Sequence, residues 1–216
     1  MSVKRGRLLI VGASRHGRVV ADCASALDRW AEIIFFDDIY PNIDRNFKWA
    51  IRGSISAIQA DAGTSDKVFV AIGNCATRVE MLDIFRGMNL RLATLVYPQA
   101  SVSADTKIEY DSIVVAGALV NIGVMIGFGG AINTGSSVDC DCVLNSGVHV
   151  CPGARLARDV RIGERSWIDI GAVMRQGIQI CSDVVDSPGA AVLTDISDGL
   201  TDGRGVTGLS AGSSPR

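Results

Sequence analysis

The sequence predicts a small parallel α/β domain followed by a β-solenoid. Two observations lead there. Between residues 96 and 180 every sixth residue is aliphatic, fifteen positions in succession from Val96 through Val102, Ile108 and Val114 to Met174 and Ile180. Ahead of that run, short apolar stretches alternate with helix-patterned ones. A period of six belongs to neither a helix nor an ordinary strand and marks a repeat architecture. Strands alternating with helices imply a parallel sheet.

The elements follow in chain order. Leu8-Leu9-Ile10-Val11 is a buried strand, and residues 12–17 form a turn. Residues 19–31 read as a helix, with Val20, Ala24 and Leu27 on one face. Ile33-Ile34-Phe35-Phe36 is a second strand ending at Asp37-Asp38. The stretch 40–65 carries no clear pattern. Residues 68–72 form a third strand ending at Gly73-Asn74, a helix is expected over 77–85, and residues 92–96 lead into the repeat. Three residues after each repeat aliphatic stands Gly or Asp in thirteen of the fifteen units, the exceptions being Gln99 and Arg165. Gly, and less easily Asp, tolerates the positive φ that a sharp corner needs. The next position is mostly small or β-branched, as at Ala118, Ser136, Cys142 and Ala172, and shares the interior with the aliphatic. Each hexad is one short strand and one corner. Three hexads close a triangular coil, and coils stack at about 4.8 Å per layer. The resulting boundaries are residues 1–92 for the α/β domain, 93–198 for the solenoid, and 199–216 for a Gly- and Ser-rich, loosely ordered tail.

Composition narrows the function classes. The chain of 216 residues is 48% apolar and 6% aromatic, with a net charge of −2 and no long run of one sign. That argues against a nucleic-acid partner gripped by phosphate contacts. Residues 113–132 carry no charge and resemble a membrane span. The hexad register runs straight through them, with Gly117, Gly123 and Gly129 at corners, so no membrane span is expected. The apolar run after Lys4-Arg5-Gly6-Arg7 is too short for a signal peptide. Its six cysteines are therefore expected to be reduced, in a cytoplasmic protein. Cys140-x-Cys142 has no second cysteine pair at zinc-site spacing and the chain has only two histidines, so no metal is expected.

Gly12-x-x-x-x-Gly17 joins a strand to a helix start. Glycines there let backbone approach a phosphate, and the helix dipole favours negative charge. The spacing is neither a dinucleotide fingerprint nor a P-loop, and a tight structural turn explains it equally well. Asp37-Asp38 ends the next strand, where a carboxylate can take hydrogen bonds from a ribose or a base. Ser14, Asp37 and Gly73-Asn74 thus end three strands at one crevice, the usual ligand position on an open parallel sheet.

These motifs carry a resemblance. A Gly-Ala-Ser-x-His-Gly turn, Phe-Asp-Asp, and Ala-Ile-Gly-Asn followed by Arg78 precede the repeat. Within it lie Asn133-Thr134-Gly135 and Val148-His149-Val150-x-Pro152-Gly153. The chain resembles, to about residue 198, the bacterial sugar acyltransferases of the sialic acid O-acetyltransferase and bacillosamine-pathway N-acetyltransferase type. The resemblance implies a left-handed β-helix, a homotrimer, acetyl-CoA as co-substrate and a nucleotide-activated amino sugar as acceptor. It places the sugar nucleotide at Gly12, Ser14, His16, Gly17, Asp37, Asp38 and Asn74. It places acetyl-CoA in a groove between subunits, with His149 near the thioester and Arg158 and Gly171 as further cofactor positions. The family's general base is a histidine in a carboxylate-His-acid-Cys segment. Here that segment reads Asp139-Cys140-Asp141-Cys142, with Cys140 at the base position and Asp139 kept beside it. The family's closing Gly-x-Pro-Ala stretch is also missing from residues 203–216.

Acyl transfer from a thioester needs a nucleophile, usually a base, and a group that stabilises the oxyanion. A sugar hydroxyl needs help to lose its proton, whereas an amine of pKa roughly 8 is already partly neutral at pH 7. Loss of the imidazole thus favours an amino-sugar acceptor and N-acetylation over O-acetylation, with a silent sugar-nucleotide-binding homologue as the other alternative. Cys140 is a thiolate base, an acyl carrier or, more simply, a space-filling residue, since Asp139 and Asp141 raise its pKa. His149 falls at an outward position just before a core aliphatic. It is a substitute base, a hydrogen-bond donor to the thioester carbonyl, or merely exposed. Arg155, Arg158, Arg161 and Arg165 lie one coil further on, where CoA phosphates or plain solvent would meet them.

Overall fold

The computed structural model describes residues 6–197. The expected tail, residues 199–216, and Lys4-Arg5 lie outside the described residues.

The amino-terminal unit is a five-stranded sheet in the order β3-β4-β2-β1-β5, formed by β1 (Leu8–Val11), β2 (Ile33–Phe36), β3 (Arg45–Asn46), β4 (Trp49–Gly53) and β5 (Lys67–Val70). Strands β1, β2, β4 and β5 run parallel; β3 is an antiparallel edge. Every residue of β1 is buried, as a central strand covered on both faces requires. The first helix, α1, spans Arg15–Ala26, four residues earlier at its start than the sequence suggests. Ser14 explains the shift. Its hydroxyl accepts from the Gly17 N–H at 3.3 Å, so the helix is capped inside the stretch read as a turn. The helix ends where Asp28 takes a positive φ, and Leu27, its C-cap, packs against the same cluster as Val20 and Ala24. The unpatterned stretch contains β3, β4, a 3-10 turn at Ile55–Ala57 and α2 (Ile58–Asp61). The last helix, α3 (Cys75–Gly87), is capped by Asn74, whose Oδ1 accepts from the Thr77 N–H at 3.0 Å.

From Leu95 onward the chain coils through three parallel walls. The first wall stacks Leu95–Val96, Ile113–Val114, Ala131–Ile132, His149–Val150 and Trp167–Ile168. The second runs from Ser101–Val102 through Leu119–Val120, Ser137–Val138, Arg155–Leu156 and Val173–Met174 to Ala191–Val192. The third runs from Lys107–Ile108 through Met125–Ile126, Val143–Leu144 and Arg161–Ile162 to Gln179–Ile180. The expected apolar membrane-like stretch is therefore a set of strands, and among the described residues no helix is long and apolar enough to cross a membrane. The hexad aliphatics from Val114 to Ile180 fill one continuous core, each contributing about 1.5–3 kcal/mol on burial. Arg165 occupies its corner at φ 57° although it is neither Gly nor Asp. Its guanidinium is held by both oxygens of Asp183, at 2.8 and 2.7 Å.

The two units share packing. The first wall, through Ile113, Val115 and Ala131, joins the cluster formed by α1 and one face of the sheet. Phe128 joins the cluster under α3 on the other face. Two buried polar groups fix the junction. Asp111 receives the Val70 N–H on its carboxylate at 3.1 Å, and burial raises its pKa well above the usual carboxylate range. Arg78, also buried, reaches from α3 to the solenoid carbonyls of Gly129 and Gly147.

Candidate active site

Strands β2, β1 and β5 lie side by side and end at Asp37, Gly12 and Ala71. The three strand ends expected to converge are therefore neighbours in the sheet. Both glycines of the turn after β1 are sterically required. A Cβ on Gly17 would stand 2.1 Å from the Gly12 carbonyl oxygen, and Gly12 itself has φ 100°. Asp37 braces the turn by accepting from the Ala13 N–H at 2.6 Å and the Ile39 N–H at 2.9 Å. Asp38 accepts from the Ile55 N–H at 2.9 Å. Ser14 and Asn74 are exposed helix caps, facing the same edge from α1 and α3.

Beneath that edge lies His149. Its position is outward from the solenoid core, as its place in the hexad dictates. Yet the amino-terminal unit covers it, leaving the residue only 5% exposed. The simply exposed alternative therefore falls. Its ring stacks on the Trp167 indole with centroids 4.0 Å apart at 13°, and the His16 ring tilts over it at 5.5 Å. Nε2 lies 2.9 Å from Asn133 Nδ2, while Nδ1 is buried without a hydrogen-bond partner. Burial, helped by the Arg78 charge, lowers the pKa of His149 to about 2 and that of His16 to about 4. Both rings are neutral at physiological pH. Sequence reasoning did not single out Trp167. Adding one coil of eighteen residues to His149 finds it, because residues so spaced stack in register.

The other expected residues lie elsewhere on the prism. Asp139 and Cys140 form the corner between the second and third walls, whereas His149 belongs to the first. Asp139 Oδ1 accepts from Asn121 Nδ2 and from the Cys140 N–H, both at 2.8 Å, which holds its pKa below the usual range. Partial burial and the carboxylates of Asp139 and Asp141 raise the Cys140 thiol, so it stays protonated at neutral pH. Arg158 sits on this same corner one coil further on, while Gly171 is on the corner between the first and second walls. There Gly117, Gly135, Gly153, Gly171 and Gly189 recur every eighteen residues, all with positive φ. No atom would obstruct a Cβ at the last four, so space lies open beside this corner, next to the exposed side chains of Pro152 and Ile170. The four arginines do not share one wall. Arg155 projects from the second wall, Arg161 from the third, and Arg165 is already paired with Asp183.

Comparison with known proteins agrees with this geometry. The family described as PglD N-terminal domain matches residues 7–85. The acetyltransferase domain of PglB from Neisseria gonorrhoeae FA1090, solved in complex with acetyl coenzyme A, is 34% identical, with a TM-score of 0.86 over 89% of this chain and 93% of that one. PerB from Caulobacter crescentus, solved with CoA and GDP-perosamine, is 28% identical, with a TM-score of 0.81 over 91% of this chain and 93% of that one. WeeI from Acinetobacter baumannii AYE, 18% identical with a TM-score of 0.66, shares the fold. Fold and relatives define an acetyltransferase built on a left-handed, hexapeptide-repeat β-helix. More narrowly, the chain belongs to the family of bacterial sugar acetyltransferases represented by PglB and PerB.

Proposed function

We propose that this protein transfers the acetyl group of acetyl-CoA to the amine of a nucleotide-linked amino sugar of the UDP-4-amino-sugar type. The product would feed glycan or surface-polysaccharide assembly. The observation that carries the reading is the neutral His149 beneath the strand-end crevice, with one ring nitrogen unpartnered and no imidazole at position 140.

In this reading the nucleotide lies at the sheet edge, against Gly12, Ser14, His16, Gly17, Asp37, Asp38 and Asn74. The neutral amine attacks the thioester carbonyl carbon and the C–S bond breaks. The departing CoA thiolate takes up the proton that the new ammonium loses, directly or through water. His149 lies near the thioester carbonyl. The buried, unpartnered ring nitrogen fits a ligand oxygen, and the open space beside the corner that includes Gly171 fits the extended pantetheine arm. One site that uses both Gly171 and Arg158 needs two copies of the chain, because the two residues occupy different corners. This, with the resemblance, supports a homotrimer in which Asp139, Cys140 and Arg158 of one copy face His149 of the next. The six cysteines, all free, are consistent with a cytoplasmic enzyme.

A second reading has one observation in its favour. Cys140 is a protonated thiol where an imidazole would stand, which suits a silent sugar-nucleotide-binding homologue. Steady-state CoA-thiol release with acetyl-CoA and UDP- or GDP-linked 4-amino sugars separates the two. Turnover with an amino sugar, lost in His149→Ala, supports the transferase. Thermal stabilisation by sugar nucleotide without any turnover supports the silent homologue.

A further inference from the structure

Asn133 lies at the start of the corner that follows the wall strand Ala131–Ile132, whose residues stack one coil below His149 and Val150. Its side-chain amide nitrogen makes two contacts, one to the Val150 carbonyl oxygen at 2.9 Å and one to His149 Nε2 at 2.9 Å. The first contact fixes which end of the amide faces which partner. A carbonyl oxygen only accepts, so the group 2.9 Å from Val150 O must be the NH2 and not the amide oxygen. That NH2 has two N–H groups, one for each contact. His149 Nε2 therefore accepts, and in a neutral imidazole the proton must then sit on Nδ1.

From this geometry we infer that Asn133 is a positioning residue that locks His149 as the Nδ1–H tautomer, making it a hydrogen-bond donor in acetyl transfer and never the base. Trp167 completes the device. Its indole, 4.0 Å from the imidazole and nearly parallel, prevents the ring from turning Nε2 away from the amide. The doubly protonated form has no place here, since a second N–H on Nε2 would point at the N–H of Asn133. Burial and the Arg78 charge already favour the neutral ring. The only uncommitted polar group left on the ring is Nδ1–H, buried and without a partner. An unpaired buried N–H is costly, a penalty that an acyl oxygen in hydrogen-bond contact removes. It removes most when that oxygen carries the developing negative charge of the tetrahedral intermediate.

The inference rests on the proposed transferase reading for its purpose but not for its test. Nitrogen NMR of isotope-labelled histidine reports which ring nitrogen carries the proton. With only two histidines in the chain, His16→Gln completes the assignment. The expected result is Nδ1–H for His149 in the intact protein, conversion to Nε2–H in Asn133→Asp, and a mixture of tautomers in Trp167→Ala but not in Trp167→Phe. In the same Asn133→Asp protein kcat should fall on the order of 100-fold with KM for the sugar nucleotide nearly unchanged, since one oxyanion donor is lost. Nε2–H in the intact protein, or Nδ1–H surviving in Asn133→Asp, overturns the inference whatever the activity. Nδ1–H together with no turnover on any amino sugar leaves the tautomer standing and sinks the transferase reading instead.

Discussion

Arg78 Nη2 donates to the carbonyl oxygen of Gly147 at 2.8 Å, fastening α3 to the solenoid corner two residues before His149. Its Nε holds Gly129 O at 2.9 Å, and Nη1 holds the carbonyls of Ile72 and Gly73 at the end of the β5 segment. One buried side chain therefore ties the end of the β5 segment to the solenoid beside the histidine. A lysine cannot reproduce that planar fork. Arg78→Lys should cost at least about 3 kcal/mol, because several buried carbonyls lose their donors at once. Urea unfolding checks this, and a loss under about 1 kcal/mol would contradict it.

Cys140 is a raised-pKa thiol on an acidic corner, so its removal should matter little. Cys140→Ala is expected to keep kcat within about 3-fold for an amino-sugar acceptor, less than the 10²-fold or more that loss of a working general base brings. Cys140→His should raise the rate, since Asp139 is already in place to orient an imidazole. Rates measured at saturating acetyl-CoA decide both. A large loss in Cys140→Ala would make the thiol a participant.

Leu119, Ile122 and Met125 are 49%, 55% and 46% exposed and wrap the corner between the second and third walls, one coil below Cys140. An apolar belt beside a proposed intersubunit site is expected to be covered by another copy. Ile122→Glu should convert the assembly to monomers, read by light scattering. Turnover should fall with it, even though position 122 lies a full coil from the chemistry.

Activity should depend on pH through the acceptor. His16 and His149 titrate at about 4 and about 2, so neither changes charge between pH 5 and 9. On lowering the pH, kcat/KM for the sugar should fall with an apparent pKa of roughly 8, that of an amine. A limb near 6.5 that disappears in His149→Ala would instead mean that this histidine is the base.

Asp186 stands where the next hexad aliphatic would fall after Ile180. Its Oδ1 accepts the Asp169 N–H, its Oδ2 is buried without a partner, and burial raises its pKa to about 6. The folded state then binds a proton that the unfolded state releases near the usual carboxylate value. This group's contribution is fully favourable below about pH 4 and is lost as pH rises through about 6. Asp186→Asn should therefore stabilise the protein at pH 8 by on the order of 1–2 kcal/mol, allowing for solvent screening, and by nothing at pH 4. Thermal melts at the two pH values test the difference.

The hexad phase was legible because one side chain in six must enter a narrow core, a constraint that repeats without regard to distant contacts. It was lost at Asp186 because an acid took the core position; the winding itself continues to Ala191–Val192. The hairpin of β3 and β4 was hidden for a local reason. Phe47 holds φ 58° at its turn, where Asn or Gly would have signalled the reversal. The crevice could be placed from three strand ends. The pairing of Asn133 with His149 could not, since it depends on how successive coils stack. That Cys140 and His149 belong to different walls follows from counting hexads in threes, a step that reading the motif alone omits.

A stacked coil finishes in a row of amides and carbonyls with no further layer to meet, an invitation to end-to-end growth into fibres. At the top of the first wall Asp186 answers the Asp169 amide with a side chain, where the main-chain ladder would otherwise run on. On the first and third walls the last turns then pair only through single bridges, at Trp167–Val185 and Ile180–Ile196, while the second wall keeps a two-residue pairing with Ala191–Val192. The acid that weakens the terminal layer also leaves a stranger's strand no flat seam to adopt.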